Sequence, residues 1–393
     1  MTRKLGPSTR SVHLTSDVDA ATHAVVPPIV ESSAFAYPDF DTWRAVALKR
    51  ADGDIYSRNS NPTTSHLERK AAALEGAEAA TSFATGMAAI STTLFALLSP
   101  GQRAVTVRDA YGATYLHFTE IMPRFDIDCQ VCPTEDHQAI EEVIAGGCDL
   151  LYLESPTNPM LKVLDLKRLA QAAHDVGAVT VVDNTSATPI NQSPLALGAD
   201  LVIHSATKYL SGHNHVLGGI VCGRKALVEK VYRHRELTGP SMQAHTAGQL
   251  LHSIRTLGLR VERQNENALV IARFLKRRPE VEAVYYPGLD DHPMHDVAAR
   301  QMTGYGGVLS FTLRGGMDAV RAFLPRLELA YLAANLGQVE TVVGPAATTS
   351  HVECTEEEME AAGVPPGLIR YSAGIEDVED LQADLEQALG GLG

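Results

Sequence analysis

His204-Ser205-Ala206-Thr207-Lys208-Tyr209-Leu210-Ser211-Gly212-His213 follows directly on the apolar run Ala199-Asp200-Leu201-Val202-Ile203. Such a run predicts a buried strand. Two hydroxyls and an amine, those of Ser205, Thr207 and Lys208, then arrive together at its carboxyl end. The hydroxyls can hydrogen-bond phosphate oxygens, and the amine can form an imine. Pyridoxal 5′-phosphate (PLP) needs both, because its aldehyde is held by a lysine and its phosphate is anchored separately. A surface lysine after an ordinary strand competes with this reading until the rest of the chain is considered.

Outward from this segment, strands and helices alternate. Asn61-Pro62-Thr63-Thr64 is a helix-start signal, and 65–75 carries alanines and leucines at helical spacing. A strand over 80–84 breaks at Thr85-Gly86 into an apolar helix over 87–98. Further strands fit 104–107, 150–153, 178–182, 201–203 and 219–222, several of them continuous β-branched runs. This pattern predicts an α/β fold with a mostly parallel sheet covered by helices on both faces. A long helix over 250–274 leads into a smaller α/β unit, with strands over 281–286, 308–313 and 368–372, helices over 317–323 and 378–389, and an expected antiparallel sheet. The first sixty residues, rich in Pro, Ser and Asp, read as an extended arm of the kind that packs on a neighbouring subunit. The expected division is an arm over 1–60, a large cofactor-binding domain over 61–257 and a C-terminal small domain over 258–393.

Ligands of open parallel sheets sit at the carboxyl ends of the strands. Gly86-Met87 lies at a strand-to-helix turn, where free N–H groups favour an anion. Tyr111 follows the next strand and offers a ring to stack on a cofactor. Asn158, in Glu154-Ser155-Pro156-Thr157-Asn158-Pro159, can donate to a phenolate oxygen; Asp183 and Lys208 end the series. Each has a plainer reading as a turn, a core edge or a helix cap. Five such groups at successive strand ends, each suited to a different part of PLP, are a combined signal.

Composition narrows the class further. The 393 residues are 45% hydrophobic and 20% charged, with a formal net charge of −14. That charge argues against nucleic acid and against anionic membrane surfaces as partners. No apolar stretch approaches a transmembrane span, and the opening Met-Thr-Arg-Lys-Leu-Gly-Pro has no signal-peptide core, so the cytoplasm is expected. Five dispersed cysteines do not suggest a disulfide framework. Cys129 and Cys132, His213 and His215, and His292 and His295 lack further ligands at suitable spacing, so no metal is expected.

The chain resembles the PLP-dependent Cys/Met-metabolism family of fold-type I enzymes. The resemblance is carried by Tyr56-Ser57-Arg58-Asn59-Ser60-Asn61-Pro62-Thr63, Ala84-Thr85-Gly86-Met87-Ala88-Ala89, Val182-Asp183-Asn184-Thr185, the run from Ser205 to His213, and Arg370-Tyr371-Ser372-Ala373-Gly374-Ile375-Glu376-Asp377. It implies that Lys208 is the Schiff-base lysine, that Asp183 pairs with the pyridine nitrogen and that Tyr111 stacks on the ring. It also implies that Gly86, Met87, Ser205 and Thr207 hold the phosphate, while Tyr56 and Arg58 reach it from the adjacent subunit. Arg370 would bind the substrate α-carboxylate, with Asn335 and Tyr56 also at the substrate. The implied assembly is a homotetramer, a dimer of dimers with shared sites.

The implied chemistry is removal of the Cα proton by Lys208, with Tyr111 delivering a proton to a leaving thiolate. The resulting reaction is γ-elimination on methionine, homocysteine or cystathionine, giving 2-oxobutanoate, ammonia and a thiol. The alternative is γ-replacement, by a cystathionine γ-synthase or an O-acylhomoserine sulfhydrylase; a PLP-fold binding protein without turnover is a further possibility that the intact residue set opposes. Three departures bear on the choice. Ala334-Asn335-Leu336-Gly337 stands where many members have Glu-Ser-Leu-Gly, and Ala334 offers no partner to a polar substrate end, which favours an apolar thioether or a short thiol. Asn335 is nearer the sulfhydrylase pattern. Ala113 replaces a cysteine frequent in methionine γ-lyases, whereas Arg235-Glu236 preserves the charges of their Lys-Asp pair.

Overall fold

The computed structural model describes residues 5–13, 23–349, 363–365 and 367–392. Residues 1–4 of the opening segment, 14–22 of the arm, and Cys354 lie outside these. The larger sheet has seven strands, β1 (Ala79–Phe83), β2 (Arg103–Val107), β3 (Asp128–Cys132), β4 (Leu150–Glu154), β5 (Val179–Asp183), β6 (Leu201–Ser205) and β7 (Gly219–Gly223), in the order β1-β7-β6-β5-β4-β2-β3. Only β7 runs against the others. The carboxyl ends of the remaining strands therefore share one edge.

The central strands are buried on both faces. Leu150, Tyr152, Val181, Leu201 and Ile203 pack into one apolar cluster, while Leu151, Leu153 and Val182 face another on the opposite side. This is the period-two alternation of a strand, written in apolar residues throughout because helices cover both faces. The edge strand β3 carries the Cys-x-x-Cys pair. Three residues apart on a strand, Cys129 and Cys132 fall on opposite faces, each packing into a different cluster.

The second sheet comprises β8 (Val281–Tyr285), β9 (Val308–Leu313), β10 (Tyr331–Leu332), β11 (Val342–Pro345) and β12 (Ile369–Ser372), in the order β10-β11-β12-β9-β8. It is antiparallel except for the two-residue β10–β11 pair, which corrects the expectation of a purely antiparallel sheet. One apolar cluster includes Leu67, Tyr209, Leu257, Phe311, Tyr371 and Leu389, so the core is continuous between the two sheets.

Two further elements depart from expectation. The long helix is two, Ala244–Ile254 and Leu257–Lys276. At the break, Arg260 donates from Nη2 to the Ser253 carbonyl (3.0 Å) and from Nη1 to the Tyr209 carbonyl (2.7 Å). The Ser253 carbonyl, which a continuous helix would pair with the N–H four residues on, accepts here from Thr256 N–H (3.3 Å), the Thr256 hydroxyl (3.2 Å) and Arg260. The arm is not wholly extended: it forms helices Pro7–Val12 and Phe40–Ala47, the second capped by Asp39 Oδ1 accepting from Thr42 N–H at 2.8 Å. Among the described residues no helix is long and apolar enough to cross a membrane.

Gly219, at the start of β7, lets the turn after β1 lie against the sheet: a Cβ there would sit 2.2 Å from the Thr85 carbonyl oxygen and 2.9 Å from Ala89 Cβ. Backbone cannot yield as a flexible side chain would. Gly219→Ala is expected to destabilise the protein by roughly 1–3 kcal/mol, measured as a lowered thermal midpoint. An unchanged midpoint would show that the turn moves freely.

Candidate active site

The carboxyl edge of the larger sheet, with residues 334–336 and β12 above it, encloses a cavity of about 230 Å³. Gly86, Met87, Tyr111, Asn158, Asp183, Ser205, Thr207, Lys208 and Arg370 all line it. At one end, the helix Gly86–Leu97 begins with Thr85 as its cap, the Thr85 hydroxyl oxygen accepting from Ala88 N–H at 3.0 Å. The N–H groups of Gly86 and Met87 have no intrahelical acceptor and carry the positive end of the helix dipole. A Cβ on Gly86 would stand 2.8 Å from Ser205 Cβ and Oγ, so the glycine permits the helix start to touch β6. Thr207 Oγ1 accepts from Gly218 N–H (3.0 Å) and lies 3.4 Å from the Gly218 carbonyl, which leaves its proton available to a better acceptor. This end could hold a phosphate.

At the other end two carboxyls stand at neighbouring strand ends. Asp183 accepts from Thr185 N–H (2.9 Å) and from the Tyr152 hydroxyl (3.3 Å). Glu154 accepts from Tyr111 N–H (2.8 Å) and thereby anchors the backbone that carries the Tyr111 ring. Burial raises the pKa of both, and for Glu154 the nearby Asp183 charge raises it further. A protonated ring nitrogen beside Asp183 would supply the missing positive charge. Glu154, in the run Glu154–Pro159, has no role assigned by sequence; it ends β4 as Asp183 ends β5, and that strand-end position is the signal that points to it.

Lys208 follows β6 and donates from Nζ to Asn335 Oδ1 at 2.7 Å. Burial, with the Arg370 charge as a lesser cause, brings its pKa down to about 8. Arg370, buried on β12, donates to Asn158 Oδ1 (3.3 Å) and to the Asn335 carbonyl (2.8 Å). It makes no ion pair with a carboxylate among the described residues, and burial lowers its pKa to about 10. Asn335 therefore touches both cations of the site, one by its side chain and one by its backbone.

Tyr56 and Arg58 are not brought to this cavity. Both are exposed, the Arg58 guanidinium lying 5.1 Å from the centre of the Tyr56 ring, and they line a separate groove with Ser33 and Ser241. Arg235 is also remote from it. It is buried and donates to Glu68 Oε1 (2.9 Å), the Ser82 carbonyl (2.9 Å) and the Asn59 carbonyl (2.6 Å), tying down the base of the arm. Among the described residues no three His, Cys, Asp or Glu side chains are arranged to hold a metal.

The donor set suits PLP: free N–H groups and hydroxyls for a phosphate, a buried carboxyl for the ring nitrogen, an aromatic ring beside it, and an amine. Residues 8–390 match the family model of the Cys/Met metabolism PLP-dependent enzymes. The chain is 40% identical to an L-methionine gamma-lyase of Pseudomonas putida, over 98% of this chain and 97% of that protein. It is 40% identical to a cystathionine gamma-lyase of Bacillus subtilis, over 94% and 96%. Among solved structures it superposes with a TM-score of 0.94 on cystathionine gamma synthase from Xanthomonas oryzae pv. oryzae in complex with cystathionine, at 38% identity and 99% coverage of both chains.

The lowered pKa of Lys208 links stability to pH. Below pH 8 the amine is protonated folded and unfolded, and the folded chain bears the full cost of the buried charge. Between about 8 and the ordinary 10.5 the unfolded chain holds the extra proton, so stability rises with pH. Lys208→Met is therefore expected to stabilise the PLP-free chain by up to roughly 3 kcal/mol at pH 7, with the gap narrowing by pH 10. Denaturant titration at the two pH values checks this; a less stable variant at pH 7 would contradict it.

Proposed function

Because the chain belongs to the PLP-dependent enzymes of Cys/Met metabolism, with PLP as cofactor, we propose that it catalyses γ-elimination on a sulfur amino acid. Methionine, or a close relative such as homocysteine or cystathionine, would give 2-oxobutanoate, ammonia and a thiol. The observation that carries this reading is Arg370: a buried guanidinium held by two neutral oxygens, opening on the cavity that contains Lys208 and Asp183. A buried cation without an anion is costly, and an α-carboxylate would complete it through two parallel hydrogen bonds.

PLP, when bound, supplies an electron-accepting ring that stabilises negative charge at substrate carbon. Asp183 would hold the proton of the ring nitrogen, the Tyr111 ring would flank the cofactor, and Asn158 would orient both the cofactor and Arg370. Gly86, Met87, Ser205 and Thr207 would hold the phosphate. Lys208 Nζ would take the Cα proton, for which an amine with a pKa near 8 is well matched to neutral solution. Tyr111 would deliver a proton to the departing sulfur.

The substrate's far end would meet Ala334, Leu336, Leu217 and Ile90, an apolar lining that supports a thioether over a charged group. The similarity to methionine gamma-lyases supports the same choice. A second reading, γ-replacement on an O-acylhomoserine, is supported by Asn335 and by the likeness to cystathionine gamma synthase. The exposed Tyr56 and Arg58, with exposed Val25, Val26, Phe40 and Trp43 along the arm, support shared sites in a dimer of dimers. The unpaired Cys129, Cys132, Cys148 and Cys222 support a cytoplasmic location, where thiols are kept reduced.

Purified protein loaded with PLP is expected to release 2-oxobutanoate from L-methionine with no thiol added. Silence on methionine, homocysteine and cystathionine, with turnover appearing only when an O-acylhomoserine and a thiol are supplied, would establish replacement instead. Arg58→Ala is expected to weaken PLP retention about tenfold or more by losing a charged hydrogen bond. Equilibrium dialysis checks this, and an unchanged affinity would contradict the shared site.

A further inference from the structure

We propose that Glu340 and Asn214 are positioning residues that fix which end of the Asn335 amide faces the Lys208 amine; the proposal rests on reading Lys208 as the cofactor lysine. Four side chains form a single file. Lys208 Nζ donates to Asn335 Oδ1 at 2.7 Å, Asn335 Nδ2 donates to Asn214 Oδ1 at 2.6 Å, and Asn214 Nδ2 donates to Glu340 Oε2 at 3.0 Å.

The direction of the file follows from its last member. An ionised carboxylate can only accept. Glu340 therefore takes an N–H from Asn214, which leaves Asn214 Oδ1 for the other neighbour. That oxygen also can only accept, so Asn335 turns Nδ2 toward it and Oδ1 toward Lys208. The protonated amine selects that oxygen too; once the amine has lost its proton and could itself accept, a carboxylate two amides away still keeps an acceptor turned toward it. Without it, the two amides could turn over together and present N–H groups to the amine. Two backbone contacts hold the file in place: Asn214 N–H donates to Gln338 Oε1 (2.8 Å), and the Asn335 carbonyl accepts from Arg370. Asn214 itself has φ of 54°, a left-handed conformation that asparagine tolerates better than most residues.

The consequence falls on the protonation of Lys208. An acceptor at Nζ favours the ammonium form and opposes the burial and the Arg370 charge that lower its pKa. The other ionisable groups lining the cavity are Tyr111, Glu154 and Asp183, and His213 and His215 flank Asn214 in the chain.

The test is the pH dependence of Lys208 acetylation in the full chain freed of PLP. It is read by mass spectrometry after brief exposure to acetic anhydride, in low and in molar salt. Asn214→Gly keeps every charge and suits the left-handed backbone but removes the middle link. Glu340→Gln keeps the shape but lets the last group donate as well as accept. Each is expected to lower the labelling midpoint by about half to one pH unit, the protonation equivalent of one ordinary hydrogen bond, in both salts. An unmoved midpoint in either variant overturns the proposal. So does a Glu340→Gln shift that disappears in molar salt, which would mark screened Coulomb attraction. Borohydride reduction of the PLP-loaded protein, followed by peptide mapping, shows separately whether Lys208 carries the cofactor, so failure of that assignment and failure of the file are read from different experiments.

Discussion

Lys208, Asp183, Glu154 and Arg370 are taken out of water around one cavity, and much of the surrounding structure serves to meet the cost of their desolvation. The compensation inside the chain comes largely from neutral dipoles. Asp183 is met by a backbone N–H and a phenol, Glu154 by the Tyr111 N–H, and Arg370 by an amide oxygen and a carbonyl. Dipoles reduce the penalty without cancelling the charges. On the proposed function, charged groups of complementary sign, the ring nitrogen and phosphate of PLP and the carboxylate of an amino acid, would supply the balance, and affinity for them would share its origin with the cost of the ligand-free site.

Topology makes this concentration of charge possible. Strands that run the same way bring their carboxyl ends to one edge, so residues from 83 to 205 in the sequence meet without long loops. Close packing at Gly86 and Gly219 seats the helix start against β6 and β7, where side chains would hold it away. The smaller sheet completes the site by carrying Arg370 on β12, paired to β9 on one side and β11 on the other. The continuous apolar core between the sheets holds that guanidinium at a fixed place over the lysine edge.

The second layer of the site depends on direction as well as proximity. Backbone N–H groups and ionised carboxylates have fixed hydrogen-bonding polarity, whereas amides and hydroxyls adapt to whatever adjoins them. Asn335 lies between Lys208, Arg370 and Asn214 and contacts all three. What it presents to the amine is therefore set by its partners: an ionised Glu340 only accepts, and the Lys208 amine, while protonated, only donates, so both ends of the file agree on one direction. A serine at this position would have a rotatable hydroxyl and no second arm to reach Asn214.

Much of the architecture could be read directly from the sequence. Continuous apolar runs such as Leu150–Leu153 and Leu201–Ile203 specify strands covered on both faces, because no polar side remains to face water. Residues at or just beyond the ends of parallel strands, Tyr111, Asp183 and Lys208, come to one edge of the sheet because the strands run the same way. Other features lay beyond local reading. The polar edge strand β3 and the short β10 and β11 carry too weak a pattern, and the break before Leu257 is satisfied by Arg260 reaching back to Ser253 and across to Tyr209. Glu154 acquires its environment only when Asp183 is placed beside it, and Asn214 meets Asn335 and Glu340 only across more than a hundred residues of chain. The sequence by itself determined the central strands of the larger sheet and which reactive groups end them, because apolar runs and their periodicity are local properties. Only the tertiary structure decided which charges share a cavity and which way the amides between them point, because desolvation and hydrogen-bond direction depend on neighbours that the chain brings together by folding.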